Sequence, residues 1–504
     1  MGVYSTIGRR AQLLQSASMD ATAEQLFLKG NRLLAAHDYG RAETCFRRAV
    51  AVAPRLTEAH ANLAWLLGDV NRDAEAEACY RQALLLDPAR AQIRLNYGAF
   101  LARRKRFAEA EAQYRRVIEL DARSVHAWSN LGALYAQMAR FEEAEACCRT
   151  SMSLDPGYAK AHINLGYLCL RRGQFEEGWA HQQWRALPYA LERLVDCPRW
   201  SGEPLLGKSL LIGPECGHGD MIQFCRYLQI LKGQGARRIA LICHPALKSL
   251  FASVIGLDDV LGFEDPVPRQ PWDYWAPILS LPYHCKTRLD SIPAALPYLR
   301  ADERAVARWR VALPPGPVRV GLVWRGNPQF SNDEERSIRA LDVLDPLAGI
   351  DGVRLISLQV GNEADEAELM RGRLQLLRPA GRIGDFADTA AILANLDLLI
   401  SVDTAVAHLA GALGKTCWVL LPQHMTDWRW LDGRSDSPWY PGVMRLFRQP
   451  TRGDWHSVIA QVRVALQQFA RDKIQAQSAH GLPRARSHYP VAREPLPSAR
   501  TSTV

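Results

Sequence analysis

The stretch PECGHGD ends on Asp220, with Gly217, His218 and Gly219 just before it. A carboxylate there can act as a general base toward a bound hydroxyl. It can equally cap a following helix, worth about 1 kcal/mol. The two glycines permit a tight turn and a close approach of ligand to backbone. A dinucleotide fingerprint would need glycine at 222, where Ile222 stands, and a Walker A loop is missing.

Three further polar clusters each follow an apolar run. VWRGNPQFSNDEERSIRAL opens with Trp324, Gly326 and Asn327, and carries Arg336 just before a predicted helix. A guanidinium facing a crevice suits a phosphate through paired hydrogen bonds; taken alone, Arg336 reads as a surface residue. Gln359 ends a predicted strand and could bond a base or a ribose. SVDTAVAHLAGALG brings Asp403, Thr404, Ala405 and His408 to the start of a helix made almost wholly of small residues. The free N–H groups and dipole of such a start favour an anion. Thr404 adds a hydroxyl. Asp403 suits a cap or a sugar hydroxyl better than a phosphate. His408 either reaches the ligand or fills the core.

These groups are positioned by an alternation of short apolar runs and amphipathic segments. Strands are predicted at 209–214, 238–243, 318–326, 353–359, 396–402 and 416–422. Helical patterns fall between them, among them 221–235 and 454–472. Such alternation gives parallel sheets with right-handed crossovers. Two doubly wound halves are expected, 200–312 and 317–471. Ligands then bind at the carboxyl ends of the strands, in the cleft between the halves. Trp428, Trp430, Trp439 and Tyr440 lie in an aromatic loop that packs or walls the cleft.

The first third is different. Segments starting at Ala23, Thr57, Ala91, Val125 and Ala159 align without gaps at a period of 34. Their eighth residues are Gly30, Ala64, Gly98, Gly132 and Gly166; their twentieth are Ala42, Ala76, Ala110, Ala144 and Gly178. Small residues let two antiparallel helices approach closely. Pro54, Pro88 and Pro156 end the second helix of a pair. Phe46, Tyr80 and Tyr114 supply the bulk between them. The pattern resembles the tetratricopeptide repeat (TPR), which implies an all-α superhelix over 23–190 whose concave surface holds a protein or peptide. Spacing or oligomerisation is the plainer role. The fifth repeat, with Trp179 and Trp184, is expected to dock onto the next domain.

The charge of +9 is mild once the tail is set aside, since 471–504 carries six Arg or Lys against two acidic residues. Nucleic acid is not demanded. The tail, 472–504, reads as disordered and basic, and 1–22 as an N-terminal extension whose MGVYST only weakly matches a myristoylation pattern. Eleven scattered cysteines suggest reduced thiols. With no apolar run long enough to span a bilayer and no signal-peptide core, a cytoplasmic address is expected.

Together, PECGHGDMIQFCRYL, VWRGNP…RSI, SLQ, DFADTAAILANLDLLISVDTAVAHLAGALGK and DWRWLDGRSDSPWYP resemble bacterial TPR proteins with a C-terminal heptosyltransferase-like domain, of glycosyltransferase family 9 and GT-B fold. The domain pairing is also similar to that of O-linked N-acetylglucosamine transferases and bacterial flagellin glycosyltransferases, in which repeats recruit the protein acceptor. The resemblance implies two Rossmann-like domains, acceptor-side then donor-binding. It implies inverting transfer from a nucleotide sugar without an essential metal. Asp220 matches that family's general base, Arg336 its basic residue for the donor diphosphate, and Asp403, Thr404 and Ala405 its Asp-Thr-Gly segment at the donor. Ala405 stands where glycine is common, and His218 where these TPR proteins usually have an aliphatic residue; a histidine there could contact donor or acceptor, or mark drift in a site no longer under catalytic demand. A non-catalytic TPR adaptor with a degenerate transferase domain, and a lipopolysaccharide or glycolipid glycosyltransferase, are the alternatives.

Overall fold

The computed structural model describes residues 21–187, 195–215, 217–266, 271–330, 332–361, 373–379 and 383–479. The extension to residue 20, the boundary at 190 and the tail from 480 lie outside the described residues. Five helix pairs come first among the described residues: α1 (21–35) and α2 (Tyr39–Val52), α3 (Thr57–Asp69) and α4 (Asp73–Leu86), α5 (Ala91–Arg103) and α6 (Phe107–Leu120), α7 (Val125–Gln137) and α8 (Phe141–Leu154), α9 (Ala159–Arg171) and α10 (Phe175–Gln182). The 34-residue spacing dictates the pairing. A Cβ on Gly30 or Gly98 would lie 2.5 Å from the ring of Phe46 or Tyr114 in the same pair. The turn inside each pair places His37, Asn71, Lys105, Ala139 and Gly173 at positive φ, the same repeat position each time.

Neighbouring pairs are tied by two further periodic contacts. The carbonyls of Pro54, Pro88, Ala122 and Pro156 meet His60, Arg94, Trp128 and His162 of the next repeat at 2.9–3.0 Å. Arg72, Arg106 and Arg140 each bridge a glutamate of their own repeat and one of the repeat before. Successive first helices touch, α3 with α5, α5 with α7 and α7 with α9, so they line the inner face. Asn62, Asn96, Asn130 and Asn164 recur there, each half-buried.

The remainder holds two all-parallel sheets. β1 (Ser209–Gly213), β2 (Arg238–Cys243), β3 (Asp259–Gly262) and β4 (Tyr274–Pro277) lie in the order β3-β2-β1-β4. β5 (Val318–Val323), β6 (Val353–Ser357), β7 (Leu398–Val402), β8 (Cys417–Leu421) and β9 (Met444–Arg448) lie in the order β6-β5-β7-β8-β9. β1, β7 and β8 are buried along their whole length, as strands covered on both faces must be. Around them pack α11 (His218–Phe224), α12 (Arg226–Gly233), α13 (Pro245–Phe251), α14 (Leu281–His284), α15 (Glu303–Ala312), α16 (Asp333–Arg336), α17 (Phe386–Ala394), α18 (Ala405–Ala412) and α19 (Trp455–Ala479).

The structure departs from the sequence reading at several points. The helix predicted over 221–235 is two, parted at Cys225, where the chain turns to bury Arg226 against the Trp439 and Pro293 carbonyls. β3, β4 and β9 are additional strands, too short or too polar to stand out as apolar runs. Residues 472–479, expected to be disordered, continue α19. Ile474 reaches Gly352, and Gln477 donates to the Pro317 carbonyl, so these last turns are packed.

One apolar core joins the repeats to both sheets. Leu170, Phe175 and Trp179 of the fifth repeat share it with Phe224, Trp428 and Trp439. Trp179 meets Trp428 edge-on at 5.2 Å, and Phe175 stacks on Trp439 at 5.6 Å. The last repeat therefore docks, as its drift from the consensus suggested. Trp179→Ala is expected to cost about 3–5 kcal/mol. In urea unfolding, the helical and tryptophan signals should fall together to one lower midpoint. A helical signal that moves alone would contradict a shared core.

Candidate functional site

In each sheet the strand order reverses beside one strand: β2 and β4 flank β1, and β6 and β7 flank β5. The crevice outside the carboxyl end of such a strand is where doubly wound sheets bind ligands. Gly217–Asp220 follow β1 there, and the loop of Trp324–Asn327 follows β5. The two ends meet directly through α11 and α18.

Gly217 is the N-cap of α11, and Asp220 is its third helical residue, not its cap. Neither Gly217 nor Gly219 takes a positive φ, so the turn does not depend on them. Gly219 serves packing instead. A Cβ there would lie 2.9 Å from His408 Cδ2 and 3.4 Å from Ala405 Cα. The Asp220 carboxylate from the first sheet accepts from Nη2 of Arg429, beyond β8 of the second. Arg429 also donates from Nη1 to both Asp427 oxygens, at 3.0 and 3.2 Å, and from Nε to Gln223 Oε1 at 2.7 Å. It is only 8 % exposed.

Arg336 ends α16 where the sequence placed it before a helix. Its Nη1 donates to the Asp403 carbonyl at 3.1 Å, and its guanidinium lies 5.1 Å over the Phe330 ring. Glycine at 326 makes room for it, since a Cβ would come within 2.6 Å. Asp403 is 9 % exposed. Burial and the nearby Asp427 push its carboxyl up to about 6, against the pull of Arg336 and Arg429. Thr404 is the N-cap of α18, yet its hydroxyl pairs with Ser401 Oγ at 2.9 Å and takes no helix N–H. Ala405 is the first helical residue. Asp220, Arg336 and Asp403–Ala405 are thus brought together, with α11 lying over the start of α18.

Other expected site residues serve the scaffold. His408 is 5 % exposed, stacked on Trp430 at 5.2 Å and 2.9 Å from the Tyr440 hydroxyl. Burial, Arg429 and Arg226 drive its pKa well down, so it fills the core as a neutral ring. Trp324 is fully buried in the apolar layer of the second sheet. Gln359 lies beyond the end of β6. It uses both ends of its amide on the backbone: Oε1 accepts from the Trp324 and Arg325 N–H groups, and Nε2 donates to the Arg325 carbonyl. It braces the β5 exit. Asn327 is exposed and accepts from Gln329 N–H, shaping the loop. His218 is half-buried between His244 at 4.5 Å and Phe386 at 5.1 Å, and its Nε2 is buried without a partner. Burial and His244 lower its pKa.

Arg429 and Asp427 escaped the sequence reading. Their signal is the charged pair in DWRW, which needs a partner once its tryptophans are buried. The repeats also reach this region. Tyr167 and Arg171 donate to the Thr426 carbonyl at 3.1 Å, and Arg171 pairs with Asp432. Lys105 pairs with Glu334 and Glu335, and Arg452 with Glu335. Burial opposes the charge on Glu335, but Arg452 and Lys105 hold its pKa down to about 2. A cavity of about 290 Å³ is lined by Phe107, Met138 and Phe141 of the repeats and by Gln423–Met425.

Two outcomes follow from this packing. Gly219→Ala should destabilise the chain by about 1–3 kcal/mol in urea, because the methyl overpacks His408. An unchanged midpoint would show that the two halves are not held at this contact. Asp403 binds its proton more tightly in the folded chain than in the unfolded one, where its pKa is 3.8. Its contribution to stability therefore falls as pH rises from about 4 to about 6. Asp403→Asn removes that loss. Its stability relative to wild type should grow across this window by about 1–3 kcal/mol and then level off. A difference independent of pH would contradict the raised pKa.

A tetratricopeptide repeat profile matches residues 27–74, and the middle TPR-like domain of cilia and flagella-associated protein 70 matches residues 67–187. Protein FlbA of Caulobacter vibrioides is 29 % identical over 326 residues, 58 % of this chain. The match spans about half of that protein's length, 52 %. PilF of Pseudomonas aeruginosa has a TM-score of 0.31 at 22 % identity, over 33 % of this chain and 76 % of that one. MamA of Desulfovibrio magneticus has a TM-score of 0.29 at 19 % identity, over 35 % of this chain and 97 % of that one. Residues 27–187 thus carry tetratricopeptide repeats, and these lead into two parallel-sheet α/β units.

Proposed function

We propose that the chain is an inverting glycosyltransferase of GT-B type, moving a sugar from a nucleotide-sugar donor to an acceptor hydroxyl on a protein recruited by the repeats. The observation that carries this reading is the meeting of Asp220, from the first sheet, with Arg336 and the Thr404–Ala405 helix start, from the second, at the motif positions of the heptosyltransferase-like family. The donor diphosphate lies against the start of α18, with Arg336 beside it. Asp220 takes the proton of the acceptor hydroxyl as its oxygen bonds to the sugar carbon. The bond from that carbon to the diphosphate breaks, and the nucleoside diphosphate leaves with the electron pair. Because α11 lies over α18, the halves must part to admit donor and close to exclude water. The half-buried amides of Asn62, Asn96, Asn130 and Asn164 offer donors and acceptors to an extended peptide backbone along the inner face.

The adaptor reading has its own support: Asp220 is paired with Arg429, and α11 covers the α18 start in this arrangement. A panel of nucleotides and nucleotide sugars, read by thermal stability, separates the two. A ligand at about 100 times its Kd adds about 2.7 kcal/mol, a rise of a few degrees in Tm. One sugar nucleotide should raise the wild-type Tm, and Arg336→Ala and Thr404→Ala should each abolish that rise. No rise with any donor, in folded protein, gives the adaptor.

A further inference from the structure

The geometry points to Arg429 as the positioning residue for Asp220, and to the space beside Gly217 as the approach of the acceptor hydroxyl to that carboxylate. This rests on the reading of Asp220 as general base. Asp220 has two oxygens in unlike surroundings. Oδ1 is bound by the Arg429 guanidinium. Oδ2 lies 3.5 Å from where a Cβ on Gly217 would stand, and Cζ of Phe330 lies 3.5 Å from the same point. The missing side chain of Gly217 thus leaves a gap bounded by the carboxylate on one side and an aromatic ring on the other. Phe330 is 48 % exposed, so the gap opens outward. The Arg336 guanidinium covers the Phe330 ring, which puts the gap between the base and the residue expected at the donor.

Arg429 is itself fixed. Its guanidinium is anchored by Asp427 and Gln223 and stacks 4.3 Å over the Trp428 ring. With four such restraints it cannot follow a moving carboxylate, so it sets where Oδ1 rests and leaves Oδ2 to the substrate. The other groups facing Asp220 act on it less directly. Asp427 lies behind Arg429, and His218 shares its helix. His408 meets α11 at Gly219, with Asp403 4.0 Å beyond it. Arg336 lies across the gap. Without Arg429 the carboxylate is free to turn away from the gap, so turnover falls while donor binding stays.

The test uses the full chain and the sugar nucleotide that raises its Tm. Release of nucleoside diphosphate, with water as acceptor, is followed as kcat and donor KM for wild type, Arg429→Lys, Arg429→Gln and Gly217→Ala. Arg429→Gln should keep the donor-induced rise in Tm and the donor KM but lower kcat by about tenfold or more. Arg429→Lys should recover part of that loss. Gly217→Ala adds a methyl at ordinary contact distance, so it should fold and bind donor normally and lose turnover at least tenfold. An undiminished kcat in Arg429→Gln, full turnover in Gly217→Ala, or a donor that binds wild type without turnover each overturns the proposal while leaving donor binding intact. If no donor raises the wild-type Tm, the transferase reading fails first, and this proposal with it.

Discussion

A cluster of aromatic rings at one junction holds the three parts of this chain in register. Phe175 and Trp179 come from the last repeat, Phe224 from the first sheet's helices, and Trp428 and Trp439 from the second sheet's loop. Rings of this size each bury on the order of 150–250 Å² and favour the edge-on and offset contacts seen here. The cluster also encloses two guanidiniums. Arg226 lies 5.5 Å from the centre of the Trp439 ring, and Arg429 lies 4.3 Å over Trp428. Charges so placed must find partners or cost several kcal/mol each. Arg226 finds carbonyls and the Tyr298 hydroxyl; Arg429 finds Asp220, Asp427 and Gln223. The candidate site is thus shaped by what the aromatic junction demands of its neighbours.

The two arginines of the crevice differ in a way that bears on ligand binding. Arg429 is neutralised by two carboxylates. Arg336 is held chiefly by a backbone carbonyl, with Asp333 at a loose 3.4 Å. A carbonyl fixes a guanidinium without cancelling its charge. Arg336 therefore keeps most of its attraction for an anion, whereas Arg429 is committed to internal structure. Residue type alone gives no hint of that division.

What the sequence made legible follows from how each feature is encoded. The repeats were readable because Gly30 with Phe46, or Gly98 with Tyr114, must recur at fixed spacing for each helix pair to close. Strands buried on both faces were readable as apolar runs, while β3, β4 and β9 have only four or five residues and include Asp259, Tyr274 and Arg445. Asp220, Arg336 and Asp403–Ala405 converge because polar residues after parallel strands share one crevice. Their surroundings could not be read in advance. Gln359 and Trp324 sit where a ligand residue would, yet their contacts are internal. Arg429 is defined by a carboxylate more than two hundred positions away, a pairing with no local signature.

Repeats three and five meet the second sheet's loops at separate points: Lys105 at Glu334 and Glu335, Phe107 at His424, and Tyr167 and Arg171 at Thr426. Several separated contacts on a stiff array leave it no axis to swing about. Any segment lying along the inner helices is then held at a set span from the carboxyl ends of the strands. On the transferase reading proposed above, such an arrangement is a ruler: it would select a residue by how far along the chain it lies from the anchored stretch, and ask little of the sequence at the residue itself.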